Sequence, residues 1–234
     1  MTTEIQDVAF DITAGFETSN NPAAINNYDN GIVSATRHQF TLASGNLWKF
    51  VNVMDEYRYQ TTGKYSKAGS WRDPMRIGAA YNETLRHNAG FLDALKHDCI
   101  SLDGQIIADL MAYGLFYQPV MDFTCDPRGF VYPLSIAFAY DTAIQHGKGH
   151  SFFYDAETAL KIPHKTKLEG DQERQLLIKA VELRAENLNA LAMTRNLPGL
   201  RDRANFWQNQ VHMENWKLQG KLTLKPGYSV QGMA

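Results

Sequence analysis

Residues Gly15–Asn46 read GFETSNNPAAINNYDNGIVSATRHQFTLASGN. Glu17 opens the stretch, Asp29 follows twelve residues later, and a hydroxyl, Ser34, stands five residues beyond that. Between them lie Ser19, Asn20, Asn21 and Pro22, then Asn26, Asn27, Asn30 and Gly31. Such residues favour tight loops and left-handed backbone. Residues 32–42 are rich in β-branched and aromatic side chains, which predicts a small ribbon. Upstream, Ile5, Val8, Ala9 and Ile12 recur at helical spacing, so residues 4–16 are predicted to form a helix. That helix delivers Glu17 at its C-terminal end, with Gly15 easing the exit. Downstream, Ser44–Asn46 reads as a helix start, with Leu47, Phe50, Val51 and Met54 as the apolar face.

The remaining chain is mostly helical in pattern. Asp73-Pro74 supplies an N-cap and a proline for a helix start. Residues 82–98 carry Leu85, Phe91, Leu92 and Leu95 as a buried stripe. Residues 102–121 are the most hydrophobic and predict a central helix ending before Pro119. Further helices are expected over 133–147, 170–194 and 200–218, with loops at 57–72 and through Pro163. The tail reads as an extended, docked segment. No internal repeat, low-complexity segment or linker interrupts the chain. The expected fold class is α+β, mainly α, with one small β element near the N-terminus.

A chain of 234 residues can bury a full core without disulfides or metals. The net charge of -2 lacks the basic excess of a duplex binder, so nucleic acid is not an expected partner. Cys99 and Cys125 match no zinc or redox spacing and are expected to be reduced, buried thiols. The first residues place acids where a signal peptide carries its basic and apolar regions. No apolar run reaches the roughly 18 residues of a membrane span. The expectation is a protein made in the cytoplasm without a signal peptide, with no membrane insertion, that reaches an outside substrate by release or export.

Glycosidic hydrolysis needs a carboxylic acid on the leaving oxygen and a second carboxylate opposite it. In direct displacement by water the two stand about 6.5–9.5 Å apart, with a polar group holding the water. Glu17, Asp29 and Ser34 supply those three group types. Their order, followed by Phe40 and Ser44–Asn46, resembles the family-46 chitosanases and related lysozyme-like enzymes. There an Asp is followed five residues later by Thr, then by Phe and a Gly-Thr-Gly-Asp-like turn. Phe16–Ser19 (FETS) resembles the catalytic Glu segment of bacterial and phage members. Tyr140–Gly147 (YDTAIQHG) is similar to a signature of their second lobe, and Leu222–Gly232 (LTLKPGYSVQG) to their closing segment.

The resemblance implies a single lysozyme-like catalytic domain over 1–234. It has two lobes, a β-ribbon in the N-terminal lobe, a central helix, and a cleft between the 1–60 region and the helical remainder. It implies an inverting glycosidase acting on β-1,4 links of an aminosugar polymer, with Glu17 as general acid, Asp29 as general base and Ser34 holding the water. Tyr28, Arg37, His38, Asn46 and Asp141 are the expected substrate-binding residues. Ser34 stands where the family has Thr, and Arg37-His38 where it has small or apolar residues. Arg201 and Arg203 are candidates for the basic residues set near the glutamate. Peptidoglycan is the expected polymer and the expected activity that of a muramidase or endolysin, because of FETS, the lack of an export signal and the basic residues near Asp29. Chitosan is the alternative, and a non-catalytic carbohydrate-binding or structural protein the alternative of another class. No metal or other cofactor is expected, and the oligomeric state is not legible.

Three further residues have readings of their own. Asp141 sits on an apolar helix, where a carboxylate needs an Arg or a hydroxyl as partner. His146 ends the same helix, as a cationic cap or as packing. Trp48, Trp207 and Trp216 fall on apolar stripes and read as core.

Overall fold

The computed structural model describes residues 4–28, 30–147 and 149–234. Helix α1 (Glu4–Thr18) buries Val8, Ala9 and Ile12 at the predicted spacing and ends one residue beyond Glu17. Gly15 does not ease an exit. It lies buried inside the helix, where an added Cβ would stand 2.3 Å from Leu224. Its role is to let the C-terminal segment approach.

Strands β1 (Ile25–Asn26), β2 (Ser34–Ala35) and β3 (Phe40–Thr41) form the expected ribbon, antiparallel in that order. Helix α2 (Asn46–Thr62) buries Leu47, Phe50, Val51 and Met54 as predicted. It also continues through residues assigned to a loop, because its last turns are exposed and carry no apolar period to read. No helix starts at Asp73-Pro74, which instead leads into a hairpin of β4 (Arg76–Ile77) and β5 (Ala80–Tyr81). Asn88 and Ser101 cap α3 (Ala89–Ile100) and α4 (Leu102–Ala112), accepting from Phe91 and Gly104 N–H groups at 3.0 Å each.

The chain does not stop before Pro119. Residues 113–117 and 121–125 take π-helical turns on either side of α5 (Gln118–Val120). Pro119 sits at the start of α5, between the two π-helical turns. Helices α6 (Pro133–His146), α7 (Phe152–Leu160), α8 (Gln172–Arg195) and α9 (Gly199–His212) follow. Of these, α7 lies in a stretch read as a loop. The tail forms an antiparallel hairpin of β6 (Lys221–Lys225) and β7 (Tyr228–Gln231).

The chain divides into two compact units: Glu17–Tyr113, and the residues up to Phe16 together with Gly114–Ala234. The core of the first is built from Phe40, Leu42, Leu47, Phe50, Met54, Phe91 and Leu95. In the second, Phe10, Phe138, Tyr140, Leu176, Leu188 and Trp207 are buried. Both cysteines are free, buried thiols, and burial pushes Cys99 up to about 12.

In the first unit two buried carboxylates hold the loop after α2. Asp55 accepts from the Ser66 N–H at 2.9 Å, and Asp98 from the Lys67 and Ala68 N–H groups at 3.2 and 2.7 Å. A Cβ on Gly69 would lie 1.8 Å from Asp55 Oδ1. Gly69→Ala is therefore expected to destabilise the protein by about 3 kcal/mol in denaturant titration. Gly78→Ala, in open space at φ 61°, is expected to cost only about 1 kcal/mol.

Candidate active site

Asp141 lies in the middle of α6 with 0% exposure. Its carboxylate accepts hydrogen bonds from Arg184 Nη2 at 2.7 Å, Arg203 Nη2 at 2.7 Å, Trp207 Nε1 at 2.9 Å and Thr13 Oγ1 at 3.1 Å. Four helices (α1, α6, α8 and α9) thus meet at one side chain. Burial by itself would raise this carboxyl, but the guanidiniums of Arg203 and Arg184 outweigh it and hold the group far below the usual carboxylate range. The expected Arg and hydroxyl partners are present. The expected substrate contact is not: with no exposed atom, Asp141 organises helices instead.

Glu17 is exposed, one helical turn beyond Thr13 on α1. The residue before it, Phe16, packs edge-on against Phe206 at 5.6 Å and under the Arg203 guanidinium at 5.2 Å. Arg203 also donates to Gln145. Of the two candidate arginines, Arg203 is therefore the one built into this cluster, while Arg201 is exposed. Sequence reasoning missed Thr13 and Arg184. Arg184 had a readable signal, an arginine on the buried stripe of Leu177, Ala180, Val181 and Leu188. Burial, then Arg184 and Arg203, lower His146 to about 4, so it packs as a neutral ring against Phe152 at 4.9 Å rather than as a cationic cap.

In the first unit, Ser34 is 2% exposed on the middle strand of the ribbon, opposite Asn26 and Thr41. Its Oγ has no hydrogen-bond partner among the described residues. Two β-branched residues, Ile32 and Thr36, flank it at φ 69° each. At Ile32 the Val33 N–H closes a γ-turn on the Gly31 carbonyl at 2.9 Å, which also accepts from Ala43 N at 3.1 Å. A β-branched residue in this region is strained and persists only where its surroundings dictate it. Asp29 lies outside the described residues. Tyr28, beside it, is 88% exposed. Asn46 is half-buried at the start of α2, its N–H donating to Ser44 Oγ at 3.3 Å.

Arg37 and His38 do not form a cationic wall. Arg37 makes a bidentate pair with Asp109 of α4, at 2.9 and 3.0 Å, and His38 Nε2 meets the same carboxylate at 2.8 Å. His38 is only 7% exposed. The pair pins the ribbon to α4. Burial of Asp109 is outweighed by His38 and Arg37, which hold its pKa below the ordinary value.

No family model matches the chain. No curated protein matches it either. Solved structures do match, over the whole chain. A Gynuella sunshinyii GH46 chitosanase in complex with chitotetraose superposes with a TM-score of 0.78 at 17% identity, covering 100% of both chains. The fold is that of the family-46 chitosanases. A native chitosanase from Bacillus subtilis MY002 gives 0.77 at 20% identity over 98% of each chain. A glutamate-to-alanine variant of that chitosanase, complexed with six GlcN, gives 0.75 at 20% over 95% of each. The lysozyme-like, mainly α class expected from the sequence is therefore the observed one.

Because the folded pKa of Asp141 lies below its unfolded value of about 3.9, its contribution is complete above about pH 4. It is lost as pH falls through the folded value. Asp141→Asn, leaving two buried guanidiniums uncompensated, is expected to cost roughly 3–5 kcal/mol at pH 7. Denaturation across pH should show the gap to wild type narrowing below about pH 4.

Proposed function

We propose that the chain is a glycoside hydrolase that cleaves an aminosugar polymer, chitosan, by direct displacement with inversion. The observation that carries this reading is the whole-chain match to chitosanase structures, two of them holding chito-oligosaccharides. Glu17 is the general acid, presented at an exposed helix end whose preceding turns are fixed by Asp141 and Arg203. Asp29 is the general base. Ser34, a buried hydroxyl with no described partner, orients the attacking water.

Peptidoglycan ranks below chitosan for a specific reason. The basic residues that favoured an anionic polymer, Arg37 and His38, are both consumed by Asp109. Held in those pairs, neither stands as a free cationic wall for an anionic chain to meet.

Wild type is expected to shorten soluble chitosan and leave peptidoglycan intact, read by reducing-end release and zymogram. Glu17→Gln should fold normally and lose about 10²–10⁴ in rate. Proton NMR of fresh products should show the α anomer, the inverted configuration. Cleavage of peptidoglycan alone would overturn the substrate. Inactivity of wild type on both polymers would overturn the enzymatic reading in favour of a binding or structural protein.

A further inference from the structure

The unit containing Gly114–Ala234 carries an open pocket of about 360 Å³ whose residues have no part in the proposed reaction. We propose that this pocket is a second saccharide-binding site, taking one uncharged N-acetylhexosamine unit of a polymer.

Its walls are aromatic and exposed. Tyr154 is 50% exposed and Phe123 66%. The Tyr154 ring is held flat on His164, with centroids 3.6 Å apart and planes within 5°. A rigid, half-wet aromatic face is an apolar platform that water covers poorly, and it matches the C–H face of a pyranose. Thr124, His150, Ser151 and Lys165 supply the pocket's polar residues. Burial and the nearby Arg184 lower His150 to about 4, so at neutral pH the ring meets a ligand uncharged.

The site is pre-formed by one carboxylate. Glu157, with 0% exposure, accepts from Arg128 Nε and Nη2 at 2.7 and 3.0 Å, from the Lys165 N–H at 3.1 Å, and contacts His164 Nδ1 at 3.2 Å. Arg128 Nη1 donates to the Thr124 carbonyl at 3.0 Å. Such anchoring removes ordering costs that weak ligands cannot meet. It also sets the charge. Glu157 answers the Arg128 guanidinium, the Asp155 carboxylate is engaged by Ser151 Oγ at 2.6 Å, and Lys165 is an exposed residue of the wall. A glucosamine ammonium would be repelled there, and an N-acetyl group would not.

The test uses the full chain carrying Glu17→Gln, so that binding is read with turnover suppressed, and its readout is local to the pocket rather than to Glu17. Tri-N-acetylchitotriose and chitotriose are titrated while the Tyr154 and His150 ring resonances are followed by NMR. The acetylated trimer is expected to shift both at low-millimolar concentration, and chitotriose to leave them in place. Phe123→Ala with Tyr154→Ala, both at exposed positions, should weaken that binding at least about tenfold. In the active chain the same pair should reduce binding to insoluble acetylated polymer without changing hydrolysis of a short soluble substrate. Lys165→Glu should admit chitotriose. No shift from either sugar up to about 50 mM, well beyond the weak-binding range, overturns the site. Equal shifts from both sugars overturn its selectivity.

Discussion

A carboxylate with no exposed atom, held between two guanidiniums, is the constraint on which the larger unit depends. Asp141 receives donors from α1, α8 and α9 while sitting on α6. No apolar residue could replace it without stranding Arg184 and Arg203 in the interior, where an unpaired charge is far more costly than a lost contact. After burial itself, Arg184 and Arg203 depress His146, and Arg184 depresses His150. Arg203, which closes the cluster, also lies over Phe16, next to Glu17. Fixing the interior and aiming the end of α1 are consequences of one arrangement.

Buried acids elsewhere repeat the device with backbone partners. Asp55 and Asp98 gather the N–H groups of residues 66–68, Glu173 takes those of Val131 and Tyr132, and Glu157 that of Lys165. Each ties an irregular segment to a helix through charge-assisted hydrogen bonds, which are stronger than neutral ones. Loops that a smaller protein would staple with disulfides are held here by carboxylates.

Much of this was legible in the sequence, for identifiable reasons. Apolar residues at helical spacing revealed α1 and hence the position of Glu17. β-Branched residues between turn formers revealed the ribbon and Ser34. Asp141 announced its partners because an acid on an apolar helix demands them, and the same argument applied to Arg184 would have named one. Arg37 and His38 were misread because the direction of a side chain leaving a strand depends on backbone that periodicity does not encode. Here Thr36 turns through positive φ just before them, and Asp109 waits on a helix distant in sequence. The helical path past Pro119 escaped because π turns absorb a proline that an α-helix would not. The far end of α2 and the whole of α7 escaped because a short or exposed helix leaves too little apolar pattern.

Asp141 holds the last turns of α1, where Glu17 stands, through Thr13. Amide hydrogen exchange of α1 in wild type and in Arg203→Met, which removes one donor while leaving Asp141 paired with Arg184, tests it most directly. Faster exchange confined to residues 13–18, with the first turns of α1 unchanged, is the predicted result. Uniform protection along α1 in both proteins would contradict the account.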